Sequence, residues 1–236
     1  AGTDLNLLRT KAIPDGDHFK ISGQKIFITG GDNDLAENII HLVLARTPDA
    51  PAGLKGISLF AVPKFLINDD GSLGPRNDVK CVSLEHKLGI HGSPTCVMSY
   101  GDNDGAVGYF IGEENQGLIC MFTMMNLTRL LVGIQGPGIG ERAYQQAVNY
   151  ARERVQGANS SGETAAIIEH PDVKRMLLDM KAKTEACRAI TIYTAGCIDR
   201  SKRAPADAER AKFQSRLELL TQIAKAWCSD MGSDIA

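Results

Sequence analysis

The sequence predicts an α+β protein: a small antiparallel β-barrel or sandwich over residues 1–112, followed by an antiparallel helical bundle over residues 113–236. Two observations carry this. Up to Gly112, short runs of β-type residues alternate with Gly, Pro and Asn-Asp clusters, notably Asn68-Asp69-Asp70-Gly71 and Gly101-Asp102-Asn103-Asp104-Gly105, as in small all-β units. Beyond it the turn signals thin out and apolar residues recur at three- and four-residue intervals, the helical period.

The β half is read around Ser22 to Gly31, Ser-Gly-Gln-Lys-Ile-Phe-Ile-Thr-Gly-Gly. A hairpin is expected, His18–Ile21 and Gln24–Thr29 joined by a Ser22-Gly23 turn. Ile26, Phe27 and Ile28 form a dense apolar patch, and the Thr29 hydroxyl follows where strand gives way to loop. Such a strand would pack a flat hydrophobic ligand and hydrogen-bond it at its end; taken alone it is also an ordinary core strand. Ile39–Ala45 reads as a strand covered on both faces. Gly56–Val62, stopped by Pro63, Val79–Leu84 and Thr95–Tyr100 complete the set.

In the second half, Gln116–Arg154 is rich in helix formers, with a kink or break expected at Gly133–Gly140, where Gly136-Pro137-Gly138 sits. That glycine run follows a helix-like segment, not a strand, so it reads as small residues for close helix approach, not as a phosphate loop. Val173, Leu177, Met180, Thr184, Cys187 and Ile190 recur at helical spacing after Pro171, and Phe213, Leu217, Leu220, Ala224, Trp227 and Met231 do so again. Asp199–Asp207 is expected to be the loop between them, and Ala158–Thr164 the most linker-like stretch. The last residues still look helical, and the chain looks cut at both ends.

Composition narrows the function. A formal net charge of -2 gives no footprint for nucleic acid or an anionic surface. No apolar run approaches a membrane span. The six cysteines form no C-x-x-C pair, so free thiols in a reducing cytoplasmic setting are expected, with no metal site.

Four patches, in order, resemble the acyl-CoA dehydrogenase family. Ala1-Gly2-Thr3-Asp4-Leu5 resembles the end of its signature. Gly23-Gln-Lys-Ile-Phe-Ile-Thr29 resembles its G-x-K-x-W-I-T strand, and Lys87-Leu-Gly-Ile-His-Gly-Ser93-Pro-Thr95 its M-G-x-R-x-S-x-T segment. Asn126-Leu-Thr-Arg129 and Tyr150-Ala-Arg-Glu-Arg154 resemble its D-x-x-R and Y-x-x-x-R helix positions. The longer inserts at Ala50–Gly53 and Asn68–Asp78 resemble the 3-methylmercaptopropionyl-CoA dehydrogenase-like subgroup.

The resemblance implies a middle β domain plus most of a C-terminal four-helix domain. It implies FAD-dependent α,β-dehydrogenation of an acyl-CoA thioester: a carboxylate takes the α-proton while the β-hydrogen leaves as hydride to flavin N5. Electrons would pass to an electron-transfer flavoprotein; an acyl-CoA oxidase using oxygen and a non-catalytic flavin-binding relative are the alternatives. Phe27 and Ile28 would lie against the flavin and Thr29 would hydrogen-bond near N5. Thr3 would sit near the pyrophosphate or CoA arm. Ser93, Asn126 and Arg129 would face the acyl-CoA. Arg154, with Gln156 and His170, would reach the flavin of a neighbouring subunit, in a homodimer or homotetramer. The chain departs from the family pattern with Phe27 for Trp, Asn126 for Asp, Val155-Gln156-Gly157 for Phe-Gly, and Pro171 for Gln. The family's usual base is a Glu beyond the third helix of the last domain, so no catalytic residue is expected within these 236 residues, nor turnover by them alone.

Overall fold

The computed structural model describes residues 4–236; Thr3 lies outside the described residues. The chain divides into two compact units, residues 1–123 and 124–236. The strands of the first unit end at Ile111, and the first long helix starts at Gly117. The expected boundary at 112 falls between the two.

In the first unit, β1 (Lys11–Asp15), β2 (His18–Thr29), β3 (Ile40–Ala45), β4 (Ser58–Pro63), β5 (Phe65–Ile67), β6 (Leu73–Arg76), β7 (Val79–Leu84), β8 (Thr95–Tyr100) and β9 (Ala106–Ile111) follow in order. The main sheet runs β3-β4-β9-β2-β8-β7 with β1 added to β2, while β5 and β6 form a separate ribbon. The described pairings are antiparallel except one bridge, Lys11 to Arg46. There Ala12 N donates to Arg46 O (2.8 Å) and Arg46 N to Thr10 O (2.9 Å). This curls the sheet toward itself, but β3 and β7 remain its ends, so the β unit is a curled open sheet and not a closed barrel. Ile21, Phe60, Val62, Met98 and Tyr100 centre its core.

The expected Ser22-Gly23 turn is not one. β2 runs unbroken for 12 residues, and the hairpin turn is Gly16-Asp17, with Gly16 at φ 66° and Asp15 paired to His18. Gly23 is needed for a different reason: a Cβ there would stand 3.0 Å from Thr10 Cα, the close backbone approach that strand glycines often mark. Likewise Asn68–Gly71 is not a separator but the turn of the β5–β6 ribbon, with Asn68 N donating to Ser72 O.

The second unit contains most of α1 (Gly117–Glu153), then β10 (Val155–Ala158), β11 (Thr164–Ala166), α2 (Pro171–Arg203) and α3 (Asp207–Ile235). The expected break in α1 is absent: the helix continues through Pro137. A Cβ on Gly133 would stand 2.9 Å from Ala224 O, one on Gly136 would overlap Cys228 O, and one on Gly140 would lie 2.9 Å from Thr184 Oγ1. Gly133 and Gly136 therefore let α1 lie backbone-to-backbone on α3, Gly140 makes room for the Thr184 side chain of α2, and that packing outweighs the helix cost of proline. Ion pairs Arg188–Glu141 (2.6 Å) and Lys183–Asp234 (2.5 Å) tie α2 to α1 and α3. Ala158–Thr164, expected as a linker, is the tip of the β10–β11 hairpin, where Asn159 Oδ1 accepts from Ser161 N and Glu163 N. α2 also runs through Asp199 to Arg203, leaving Ala204–Ala206 as the connection to α3.

α1 has an 18-residue stretch of mean hydropathy 1.6, of which 17% is buried; by length and composition it is long enough and apolar enough to cross a membrane. Asn126, Thr128 and Arg129 interrupt any continuous apolar run, which is why scanning for unbroken runs passes over it.

Candidate functional site

The site in the first unit is built on an irregularity. Lys25 pairs with Met98, but the next pair is Ile28 with Cys96. Three steps on β2 match two on β8, so β2 carries one extra residue, a β-bulge. Phe27 sits in it at φ 60°, a left-handed conformation rare for a bulky aromatic. The residue is 64% exposed. Ile28 returns to the core side and packs on the main cluster, and Thr29 pairs with Thr95 and is exposed. A core strand would bury its phenylalanine; this one spends about 1–3 kcal/mol of backbone strain to present a flat ring to solvent, with a hydroxyl two residues on.

The strand end is pinned on both sides. Gly30 N donates to Pro94 O (2.8 Å). Gly31 is packed so closely on Cys96 and Met98 that a Cβ would come within 3.0 Å of both. Asp32 pairs with Lys64 at 2.5 Å, and Lys64 also donates to Asn33 O. Ser93 immediately precedes Pro94. Its loop is gathered by Lys87 Nζ, which donates to Ile90 O (2.8 Å) and Ser93 O (2.5 Å). Ile90 is left-handed as well, at φ 54°. The first unit thus places Phe27, Ile28, Thr29 and Ser93 at one end of the β2–β8 pair.

The second unit holds the remaining expected residues in two groups. On α1, Arg129 Nη1 donates to Asn126 Oδ1 (3.3 Å); the amide oxygen supplies the acceptor that the family's carboxylate would. Arg154 lies just past α1, exposed, with its N–H on Tyr150 O and its carbonyl accepting from Ile167 N. Gln156 contributes its main chain: its carbonyl accepts from His170 Nε2 (2.8 Å), so the ring carries its proton on Nε2. His170 also caps α2 ahead of Pro171. Arg154, Gln156 and His170 therefore share one hairpin base, with β10 exposed along its whole length.

Two buried titratable features were not anticipated. His41 Nδ1 lies 3.0 Å from the Tyr100 hydroxyl, and burial pushes the His41 imidazolium down and the Tyr100 phenol up. Lys25 is the other: its Nζ donates to Leu44 O (2.8 Å), and burial lowers its pKa from 10.5 to about 8. A signal for Lys25 exists in the sequence, because positions 21, 23 and 25 alternate onto one face of a strand and Ile21 is core. The described cysteines are all free thiols, and no group of three potential metal ligands is assembled among the described residues.

Residues 115–235 match the acyl-CoA dehydrogenase C-terminal domain. The chain belongs to the acyl-CoA dehydrogenase family. It is 51% identical over 240 residues to 3-methylmercaptopropionyl-CoA dehydrogenase of Ruegeria pomeroyi, covering 100% of this chain and 40% of that protein. It is 44% identical over 241 residues to a butyryl-CoA dehydrogenase of Syntrophomonas wolfei, covering 98% and 40%. The chain therefore spans about two fifths of the length of these relatives. Among solved structures, butyryl-CoA dehydrogenase from Megasphaera elsdenii superposes with a TM-score of 0.72 at 26% identity, covering 100% of this chain and 53% of the other. A chain from an electron transferring flavoprotein structure of Acidaminococcus fermentans gives 0.76 at 27%, covering 100% and 53%. The family and subgroup expected from the ordered patches, and the α+β class, agree with these matches.

Proposed function

We propose that the chain forms the flavin-binding β unit and much of the helical unit of an FAD-dependent acyl-CoA dehydrogenase working in a reducing cytoplasm. The observation that carries this reading is the Phe27 bulge. An aromatic ring held out of the core by a left-handed backbone has no packing reason to be there, and a flat heteroaromatic ligand supplies one. The relatives named above, which are dehydrogenases of acyl-CoA thioesters by description, support the reaction class.

The residues fit FAD. Phe27 offers an apolar wall for the isoalloxazine, with Ile28 behind it on the core side, and Thr29 a hydroxyl at its edge. Arg154 is exposed, with no carboxylate paired to it among the described residues, and a guanidinium suits a pyrophosphate in geometry and charge. FAD, when bound, supplies the two-electron acceptor for the β-hydrogen of the acyl group. The chain's own part is placement: Ser93 and its lysine-gathered loop hold the CoA arm, and the Asn126–Arg129 pair offers donors to the acyl thioester. Thr3 joins the cofactor side of this assignment. No carboxylate of the chain is assigned as the base. Electrons would leave to an electron-transfer flavoprotein, a reading that the likeness to a chain of such a complex supports.

The test uses the full-length protein that contains this chain, loaded with FAD and mixed anaerobically with acyl-CoAs of graded length and with 3-methylmercaptopropionyl-CoA. Bleaching of the flavin band is expected, and its dependence on the acyl group defines the substrate. Slow recovery in air and fast recovery with an electron-transfer flavoprotein are expected of a dehydrogenase. Rapid recovery in air alone would assign an oxidase, and a protein that takes up no flavin would overturn the proposal.

A further inference from the structure

We infer that Lys25 is a positioning residue for the Phe27 platform: its ammonium, anchored on the Leu44 carbonyl, holds the last in-register residue of β2 before the bulge. The inference rests on the flavin reading above for its functional meaning, but its geometry stands on the fold alone. β1 pairs with β2 at Lys11–Ser22 and meets the end of β3 through the Lys11–Arg46 bridge, so on this side a single strand lies between β2 and β3. Lys25 and Leu44 both fall just beyond the point where β1 begins, and there Lys25 Nζ is 2.8 Å from Leu44 O. The side chain therefore stitches β2 to a strand it does not pair with.

The stitch falls where it matters for Phe27. Lys25 is the last paired residue before the register shift and Ile28 the first after it. Between them Ile26 and Phe27 are exposed, at 45% and 64%, and no described ladder pair holds them. The bulge is thus defined by its ends. The far end is held by Thr29 on Thr95 and Gly30 on Pro94. The near end is held by the Met98 pair and by Lys25. A one-residue slip of this segment would relieve the left-handed Phe27 and turn the lysine to water, since each slip moves side chains to the opposite face. A charge-assisted hydrogen bond to a carbonyl opposes that slip. Lys25 is half-buried here, and a flat ligand would find the ring already placed.

Trp227 is the only tryptophan in the sequence. With Trp227→Phe, and any tryptophan of the full-length protein beyond these residues likewise changed to Phe, Phe27→Trp puts the sole indole in the bulge. In that parent, Lys25→Met, Lys25→Arg and, as a control, Leu59→Ala are added separately. Leu59 is buried in a neighbouring cluster with Leu44 and outside β2. Anisotropy and acrylamide quenching of the bulge indole are read without flavin, and flavin affinity is read by titration. Lys25→Met should lower the anisotropy, raise the quenching and weaken flavin binding by about tenfold or more, as loss of preorganisation does. Lys25→Arg, which keeps a cationic donor, should recover part of both. Leu59→Ala should melt earlier yet leave the indole signal as in the parent. An unchanged indole signal in Lys25→Met, or an equal change in Leu59→Ala, would overturn the positioning role. Failure of the parent to bind flavin would instead strike the flavin reading, while the indole signal still decides the role of Lys25.

Discussion

At the scale of single residues, Phe27 sets a trade of stability against binding. A non-glycine residue in the left-handed region costs about 1–2 kcal/mol, and this ring is too exposed to regain much by burial. Phe27→Gly should therefore raise the stability of the flavin-free protein by about 1 kcal/mol in denaturant titration, while flavin affinity falls. Loss of stability on that substitution would mean the ring packs in the fold and is no platform. Lys25 gives a pH signature. Its folded pKa of about 8 lies below the ordinary 10.5 because burial disfavours the ammonium. Between these values the unfolded chain binds the extra proton, so this group's contribution to stability rises with pH across that window, by at most about 3 kcal/mol. Cys228 and Tyr100, raised by burial, act in the opposite sense at alkaline pH, so the comparison is made against Lys25→Met. The stability difference, variant minus parent, should fall as pH rises from 8 toward 10.5. The identity of these side chains was legible in Gly23–Thr29, but their conformation was not. An aromatic in an apolar strand reads as core, and no glycine marks the left-handed position.

At the scale of elements, period was readable and interruption was not. β7 and β8 fall where the alternation places them, and Pro171 opens α2 as expected. Gly23 reads as a turn because glycine breaks isolated elements, and Gly133–Gly140 reads both as a kink and as small residues for close helix approach. In the folded chain Gly23 and Gly136 are each a point where another backbone comes close, Thr10 in one case and Cys228 in the other. The helix approach was therefore legible in the run of small residues, whereas its partner, and the segment that passes Gly23, were not. Two substitutions on one helix expose that approach. Gly136→Ala adds a methyl where the Cys228 carbonyl already sits and should cost about 1–3 kcal/mol or more. Gly138→Ala, with nothing within 4 Å of its Cβ, should gain up to about 1 kcal/mol from helix propensity. Calorimetric melts of both variants check the pair. Equal effects would mean that α1 and α3 are not in close contact.

At the scale of the whole molecule, the proposed flavin site calls for a test of which subunit would complete it. Phe27 belongs to the first compact unit and Arg154 to the second. The family resemblance implies that Arg154 reaches the flavin of a neighbouring subunit, and subunit mixing tests this. In the full-length protein, Phe27→Gly and Arg154→Gln should each weaken flavin retention. Arg154 is exposed and pairs with no carboxylate among the described residues, so its loss should leave flavin-free stability within about 0.5 kcal/mol. The two variants are then unfolded together, refolded and given flavin. In a two-fold dimer containing one of each, one site inherits both defects. The other takes Phe27 from the Arg154→Gln subunit and Arg154 from the Phe27→Gly subunit, and is whole. Random pairing makes half the dimers mixed, so about one quarter of the native flavin occupancy should return. If both residues serve the same subunit's flavin, every site carries one defect and none returns. Recovery in the mixture, with none in either variant alone, would establish the shared site; its absence would return Arg154 to its own subunit and remove the reason to require an oligomer for cofactor binding.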